Sequence, residues 1–293
     1  MEPGSNGEDP AEARRGRVAT AAAVGDGQTS TAAVEVEALL EVASECARRA
    51  GALLLEHFAA PARAVRAKSG PRDLVSAADF AAEEAIRSVL ARERPGDGVL
   101  GEELDETASL TGLRWVVDPL DGTVNFLRRL PHWCVSIACE DADGARVGVV
   151  YDPLRREWFT AARGRGASLG PVQLHGSRAS DLALAMVGGE LSARSPTEAG
   201  RSRALVSSAG HVRSYGSAAL DLAWVAAGRF DAVYHGRFPS PWDLSAGSLL
   251  CREAGLVIER VTGDGDSDSS LLAAPSALAL PLRKLIADAN SGP

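Results

Sequence analysis

The sequence predicts an α/β protein, on three observations. Helical periodicity dominates the first stretch with large apolar residues, short apolar segments separated by polar turns follow, and the remainder alternates strand-like with helix-like segments. A chain of 293 residues, 45% hydrophobic and 24% charged, has ample material for a buried core. The net charge of −8 argues against nucleic-acid or anionic-membrane partners. No apolar run approaches the roughly 18 residues that span a bilayer, and the acidic N-terminus lacks a signal-peptide core, so the expected location is cytoplasmic.

Residues 1–33 are rich in Gly, Ala, Ser and charge, and are expected to be a disordered tail before a domain over 34–293. From Val36 onward Leu39, Leu40, Ala43, Ala47, Ala50 and Leu54 recur at helical spacing. "KSGPRDLVSAADFAAEEAIRSVL" reads as a turn and a second helix, with Ser76 and Asp79 at capping-box spacing. "GVLGEE", "RWVVDP", "WCVSIACE", "RVGVVYDP" and "EWFTAA" read as strands of a largely antiparallel sheet, a first half ending near residue 185. Residues 190–203 are polar and expected to be a surface loop. After about 204, "SAALDLAWVAAG" and "DLSAGSLLCREAG" read as helices among the strands "FDAVYH" and "LVIERVT". "LALAMVGG" is a strand candidate just before that loop, and no internal repeat is visible.

Cys46, Cys134, Cys139 and Cys251 have no zinc-site spacing and are expected to be reduced core residues. Cys134 and Cys139, an odd number apart, should face opposite sides of a sheet. "DGDSDSS" from Asp264 lacks the glycine and the final acid of a calcium loop and reads as a solvated hairpin, and "RGRG" at 163–166 reads as a turn.

The chemistry concentrates in "VVDPLDGTVNF". Two carboxylates directly behind an apolar strand cost free energy unless a cation compensates them. If the strand ends at Val117, Pro119 and Gly122 allow a tight reversal that brings Asp118 and Asp121 together with the Leu120 carbonyl, an oxygen cluster suited to Mg²⁺. A helix starting near Thr123 would leave the Gly122 and Thr123 amides free for a phosphate. "GEELDE" adds Glu102 and Glu103, and "PWDLSAG" adds Asp243. Taken singly, these stretches are equally an acidic turn and a helix cap.

Together, "DLVSAADFAAEEAI", "GEE", "WVVDPLDGTVNF", "LPHWCVSIA", "GVVYDP", "RSYGSAALDLAWVAAGRFDA" and "PWDLSAG" resemble, in order and from roughly residue 40 to 285, the inositol monophosphatase family of Mg²⁺-dependent, lithium-sensitive phosphatases. The resemblance implies a five-layered α/β/α/β/α sandwich, usually a homodimer, acting on a small phosphorylated polyol or sugar with two or three Mg²⁺ ions. It implies that Glu102, Asp118 and the Leu120 carbonyl hold one ion, that Asp118, Asp121 and Asp243 hold the second, and that Glu102 reaches a weaker third. Asp73 and Thr123 would orient and deprotonate the attacking water, with Glu102 among the catalytic groups. Gly122, Thr123, Gly216, Ser217, Ala218 and Asp243 would face substrate.

One position departs from the family pattern. Inositol-preferring members carry a substrate-gripping glutamate where this chain has His235, which would give a partly cationic pocket rim. Inositol 1-phosphate is the single best substrate expectation, with histidinol phosphate, fructose 1,6-bisphosphate and 3′-phosphoadenosine 5′-phosphate as alternatives. A catalytically silent, metal-binding regulatory dimer is the rival of another class.

Overall fold

The computed structural model describes Met1 and residues 25–59, 65–67, 74–261 and 269–289. Helix α1 (Gly25–Ala59) begins inside the stretch whose composition suggested a tail. Its middle is anchored by the buried Leu39, Ala43, Ala47, Ala50 and Leu54. Once such a segment is packed, extending the helix toward its N-terminus adds one hydrogen bond per residue without a new nucleus, which composition does not reveal. After the short antiparallel pair β1 (Val65–Ala67) and β2 (Leu74–Ser76) comes α2 (Ala77–Glu93).

A seven-stranded sheet follows in sequence order: β3 (Gly98–Gly101), β4 (Arg114–Asp121), β5 (Cys134–Asp141), β6 (Gly144–Asp152), β7 (Glu157–Ala162), β8 (Ala167–Leu169) and β9 (Val172–Gln173). β3 and β4 are parallel and every other neighbouring pair is antiparallel, so short turns suffice as connections. The one-turn helix α3 (Thr123–Leu127) joins β4 to β5. The "RGRG" segment is the β7–β8 turn, where the amides of Gly164 and Gly166 donate to Glu253 at 2.8 and 2.7 Å.

The second sheet runs β11 (His211–Arg213), β10 (Met186–Gly188), β12 (Ala232–His235), β14 (Ser270–Ala274) and β13 (Val257–Val261). Its first three strands are parallel and the other pairings antiparallel. Helices α4 (Pro196–Ser208), α5 (Ala218–Ala226), α6 (Pro241–Glu253) and α7 (Ser276–Asp288) complete the fold. Three apolar clusters bind the layers. One joins α1 and α2 to the large sheet, a second fills the space between the sheets around α5 and α6, and a third joins the small sheet to α4 and α7. The five-layered α/β/α/β/α sandwich is thus realised. Cys134 lies in the second cluster and Cys139 in the first, on opposite faces of β5, and all four cysteines are free and buried.

Most of the expected loop at 190–203 is helix. Ser195 caps α4 by accepting from the Glu198 amide at 3.1 Å, with Pro196 in the first turn. Its inner face carries Glu198 and the fully buried Arg201 beside Leu205, so the apolar period that marks a helix is missing. The acidic segment 264–268 lies outside the described residues. Among the described residues no helix is long and apolar enough to cross a membrane.

α3 is tied to α1 by the rings of Phe58, Phe126 and Trp133, whose centroids lie 5.2 to 5.4 Å apart. Arg129 reinforces the joint by donating to the carbonyls of His57 and Phe58 at the end of α1. Removing the ring in Phe126→Ala is expected to cost about 3–5 kcal/mol, read as a lower urea midpoint with an unchanged slope.

Candidate metal centre and active site

β4 does not stop at Val117. It continues through Asp121 with an irregularity between Asp118, which pairs with Ser136, and Asp121, which pairs with Cys134. Three steps along β4 therefore match two along β5. In a regular strand residues three apart point to opposite faces, and the extra residue cancels that alternation. Pro119, which has no N–H for the ladder, sits inside the irregularity. The Leu120 amide turns inward and donates to Asp118 Oδ1 at 2.9 Å.

Asp243 arrives from α6, which packs on the inner face of the large sheet. It is the third residue of α6, where Pro241 opens the helix and the Ser240 amide donates to Asp243 Oδ2 at 3.0 Å. Ser136 on β5 donates to the Trp242 carbonyl at 3.1 Å and fixes this end of α6 against the sheet. The result is a cluster in which ligand atoms of Asp118, Asp121 and Asp243 all lie within 4.8 Å of one another.

These carboxylates are held against their preference. Asp118 is driven well above the usual carboxylate range by burial first, then by the charges of Glu102, Asp121 and Asp243. Asp243 is raised to about 7 by burial and by Asp121. Asp121 is also raised by burial, but hydrogen bonds oppose the shift. Ser217 Oγ and the Ala219 amide donate to its Oδ2 at 2.6 and 2.7 Å, and the Ala218 amide to its Oδ1 at 3.2 Å. A buried all-oxygen donor set destabilised by its own charge fits a hard divalent cation, which would supply the missing compensation. Glu102 stands outside the tight trio, yet its charge reaches both Asp118 and Asp243.

Thr123 opens α3, and its hydroxyl lies 3.1 Å from both Asp79 Oδ1 and the Leu120 carbonyl. Gly122 precedes it with φ 96°, and a Cβ there would stand 3.0 Å from the His132 carbonyl, so glycine suits both backbone and space. The partner of Thr123 is therefore Asp79, which the capping-box spacing marks only as a capping residue. Asp73, expected in that role, lies outside the described residues. The signal for Asp79 was present: it shares the buried face of α2 with Ala82, Glu83, Ile86 and Val89, and an acid on an apolar helix face calls for a partner.

Other expected contacts are reassigned. Ser217 is 1% exposed and, with the Ala218 amide, serves Asp121, which leaves Gly216 as the exposed member of that trio. His235 is no partly cationic rim. It is 3% exposed, burial pushes its pKa down to about 4, and its Nε2 lies 3.7 Å from Asp221 Oδ2. His132, likewise pushed to about 4 chiefly by burial, sets its Nε2 3.7 Å from Asp221 Oδ1. His235 is the last residue of strand β12, all four residues of which are buried, and helix α5 packs against that strand.

The model of the inositol monophosphatase family matches residues 35–291. This chain is a member of that family. Inositol monophosphatase family members are metal-dependent phosphomonoesterases, and the chain is accordingly a phosphoric monoester hydrolase by class. It is 40% identical over 230 residues to a protein named Nus factor SuhB from Escherichia coli (strain K12), covering 77% of this chain and 86% of that one. It is 41% identical over 224 residues to an inositol-1-monophosphatase from Rhizobium meliloti (strain 1021), covering 74% and 84%. Extragenic suppressor protein suhB from Bartonella henselae superposes with a TM-score of 0.79 at 33% identity, covering 85% of this chain and 98% of that one.

Asp221 gives a signed pH test. Its carboxylate is fully buried, has no hydrogen-bond partner, and is raised well above its ordinary value by burial and by Asp121. A raised folded pKa means stability that is complete below the unfolded value near 4 and is lost as pH rises toward the folded value. Asp221→Asn removes that titration, so the stability of the variant relative to the parent should increase with pH above about 4, by at most ~1.4 kcal/mol per unit. Urea unfolding of both proteins across pH 4.5 to 7.5 measures it; a flat or falling difference would show an ionised Asp221 held by imidazolium.

Proposed function

We propose that the chain is a Mg²⁺-dependent phosphatase of a small phosphorylated polyol or sugar, with inositol 1-phosphate the best single substrate. The observation that carries the reading is the coincidence, in one buried place, of the Asp118–Asp121–Asp243 cluster with the Thr123–Asp79 pair. The 41% identity to an inositol-1-monophosphatase supports the choice of substrate. Histidinol phosphate, fructose 1,6-bisphosphate and 3′-phosphoadenosine 5′-phosphate share the same chemistry at phosphorus and stand as alternatives. Lithium sensitivity, a cytoplasmic location and a homodimer belong to the same proposal.

In this reading Glu102, Asp118 and the Leu120 carbonyl hold one Mg²⁺, and Asp118, Asp121 and Asp243 hold another. The ions supply charge neutralisation at phosphate and acidify water. The chain's own residues do the rest. Asp79 accepts the Thr123 hydroxyl hydrogen, which leaves the Thr123 oxygen lone pairs to orient a water beside the cluster. The buried Asp79 carboxylate is the base to which the proton from that water passes through the hydroxyl. The backbone donors at the start of α5 are committed to Asp121, so they stiffen a ligand rather than grip the phosphate. Gly216, which is exposed, leaves room for substrate to approach the backbone.

Phosphate release from a panel of phosphomonoesters, with Mg²⁺ and after chelation, tests the function. Activity on none of them at any Mg²⁺ concentration would favour the silent regulatory protein. Within the mechanism, Thr123→Ala and Asp79→Asn should each lower kcat by about 10²-fold or more while KM changes little, because the pair acts on water and not on bound substrate. An unchanged kcat in either variant removes the pair from the reaction.

A further inference from the structure

We propose that Glu83 is a positioning residue of the metal centre, clamping the chain on both sides of Glu102. The inference rests on the metal-site reading above and adds a group that the reading does not use. Glu83 is fully buried on α2. Its Oε2 accepts from the Glu103 amide at 2.8 Å, and its Oε1 from the Leu104 amide at 3.3 Å. Arg87, one turn along the helix, donates to the same Oε1 at 2.9 Å and to the Leu104 carbonyl at 3.1 Å. Ahead of Glu102 the contact is steric: a Cβ on Gly101 would collide with the Glu83 carboxylate. The segment from Gly101 to Leu104 therefore wraps one carboxylate, with Glu102 at the crest of the wrap.

Only a carboxylate serves this position. Three N–H donors converge on two oxygens, and glutamine would present an amide N–H₂ to one of them. The position is also tied to the reaction. Asp79 lies four residues earlier, on the same face of α2, and meets Thr123, so one rigid helix sets both the water-orienting pair and the loop that carries Glu102. Side chains that orient ligands in this way commonly govern metal affinity by about 10- to 100-fold.

The test is Mn²⁺ binding to the full chain without substrate, by calorimetry, alongside the metal dependence of phosphate release. Glu83→Gln is expected to weaken Mn²⁺ binding at the tightest site about 10-fold or more. It should raise the Mn²⁺ concentration for half-maximal activity in parallel, and leave kcat and KM near parental values at saturating metal. A merely structural role would lower the melting temperature without moving the binding isotherm, and that result overturns the proposal. Gly101→Ala, which pushes on the same carboxylate from the other side, should weaken binding in the same sense and serves if Glu83→Gln does not fold; parental Mn²⁺ binding by a folded Gly101→Ala protein also overturns it. Asp118→Asn separates the two readings: if it binds Mn²⁺ as the parent does, the metal site itself is misplaced. If it loses Mn²⁺ while Glu83→Gln keeps it, only the role of Glu83 falls.

Discussion

Three carboxylates crowded into a largely buried place repel one another, and the surrounding structure is arranged around that repulsion. Two devices deliver the three acids. Asp118 and Asp121 share a face because β4 carries an extra residue, and Asp243 comes in on the first turn of α6. Each is also restrained by backbone: the Leu120 amide for Asp118, two amides of α5 for Asp121, and the Ser240 amide for Asp243. Such donors cannot rotate away as side chains do, so the cluster keeps its shape while its charge is uncompensated.

The layers bring these devices together. α5 and α6 lie between the two sheets, with the starts of both helices at the cluster, and the apolar packing of their other faces holds them there. α2, packed with α1 on the large sheet, sets Asp79 against the segment that follows β4 and Glu83 against the segment that follows β3. His132, Asp221 and His235 come together near Asp121, with Asp221 on the first turn of α5, His235 at the end of β12 and His132 in the segment after α3. Electrostatics and packing are thus coupled: moving α5 would disturb both the support of Asp121 and the buried histidines.

Much of this was legible in the sequence. Asp118, Asp121 and Asp243 are the acids the structure assembles, and the two-sheet sandwich is the predicted one. What escaped had physical reasons. The choice between Asp73 and Asp79 depends on where the strand ends and the helix begins, at Ser76 and Ala77, a boundary that propensity places poorly. The polar buried face of α4 hides its helical period. The burial of His235 depends on which residue of α5 crosses β12, a tertiary fact with no local signature. The strand through Pro119 looked finished at Val117 because a proline argues against a central strand unless an irregularity accommodates it.

That irregularity has a further consequence. Asp118 opposite Ser136 and Asp121 opposite Cys134 define a pairing in which the two sides of the ladder count differently. A slip of β4 against β5 by one residue would exchange its residues between the two covered faces of the sheet and carry its acids away from Asp243. The centre therefore acts as a frame mark for the largest sheet. A misaligned sheet and a missing metal centre are one event, and any molecule that retains the cluster has its central strands in the correct register.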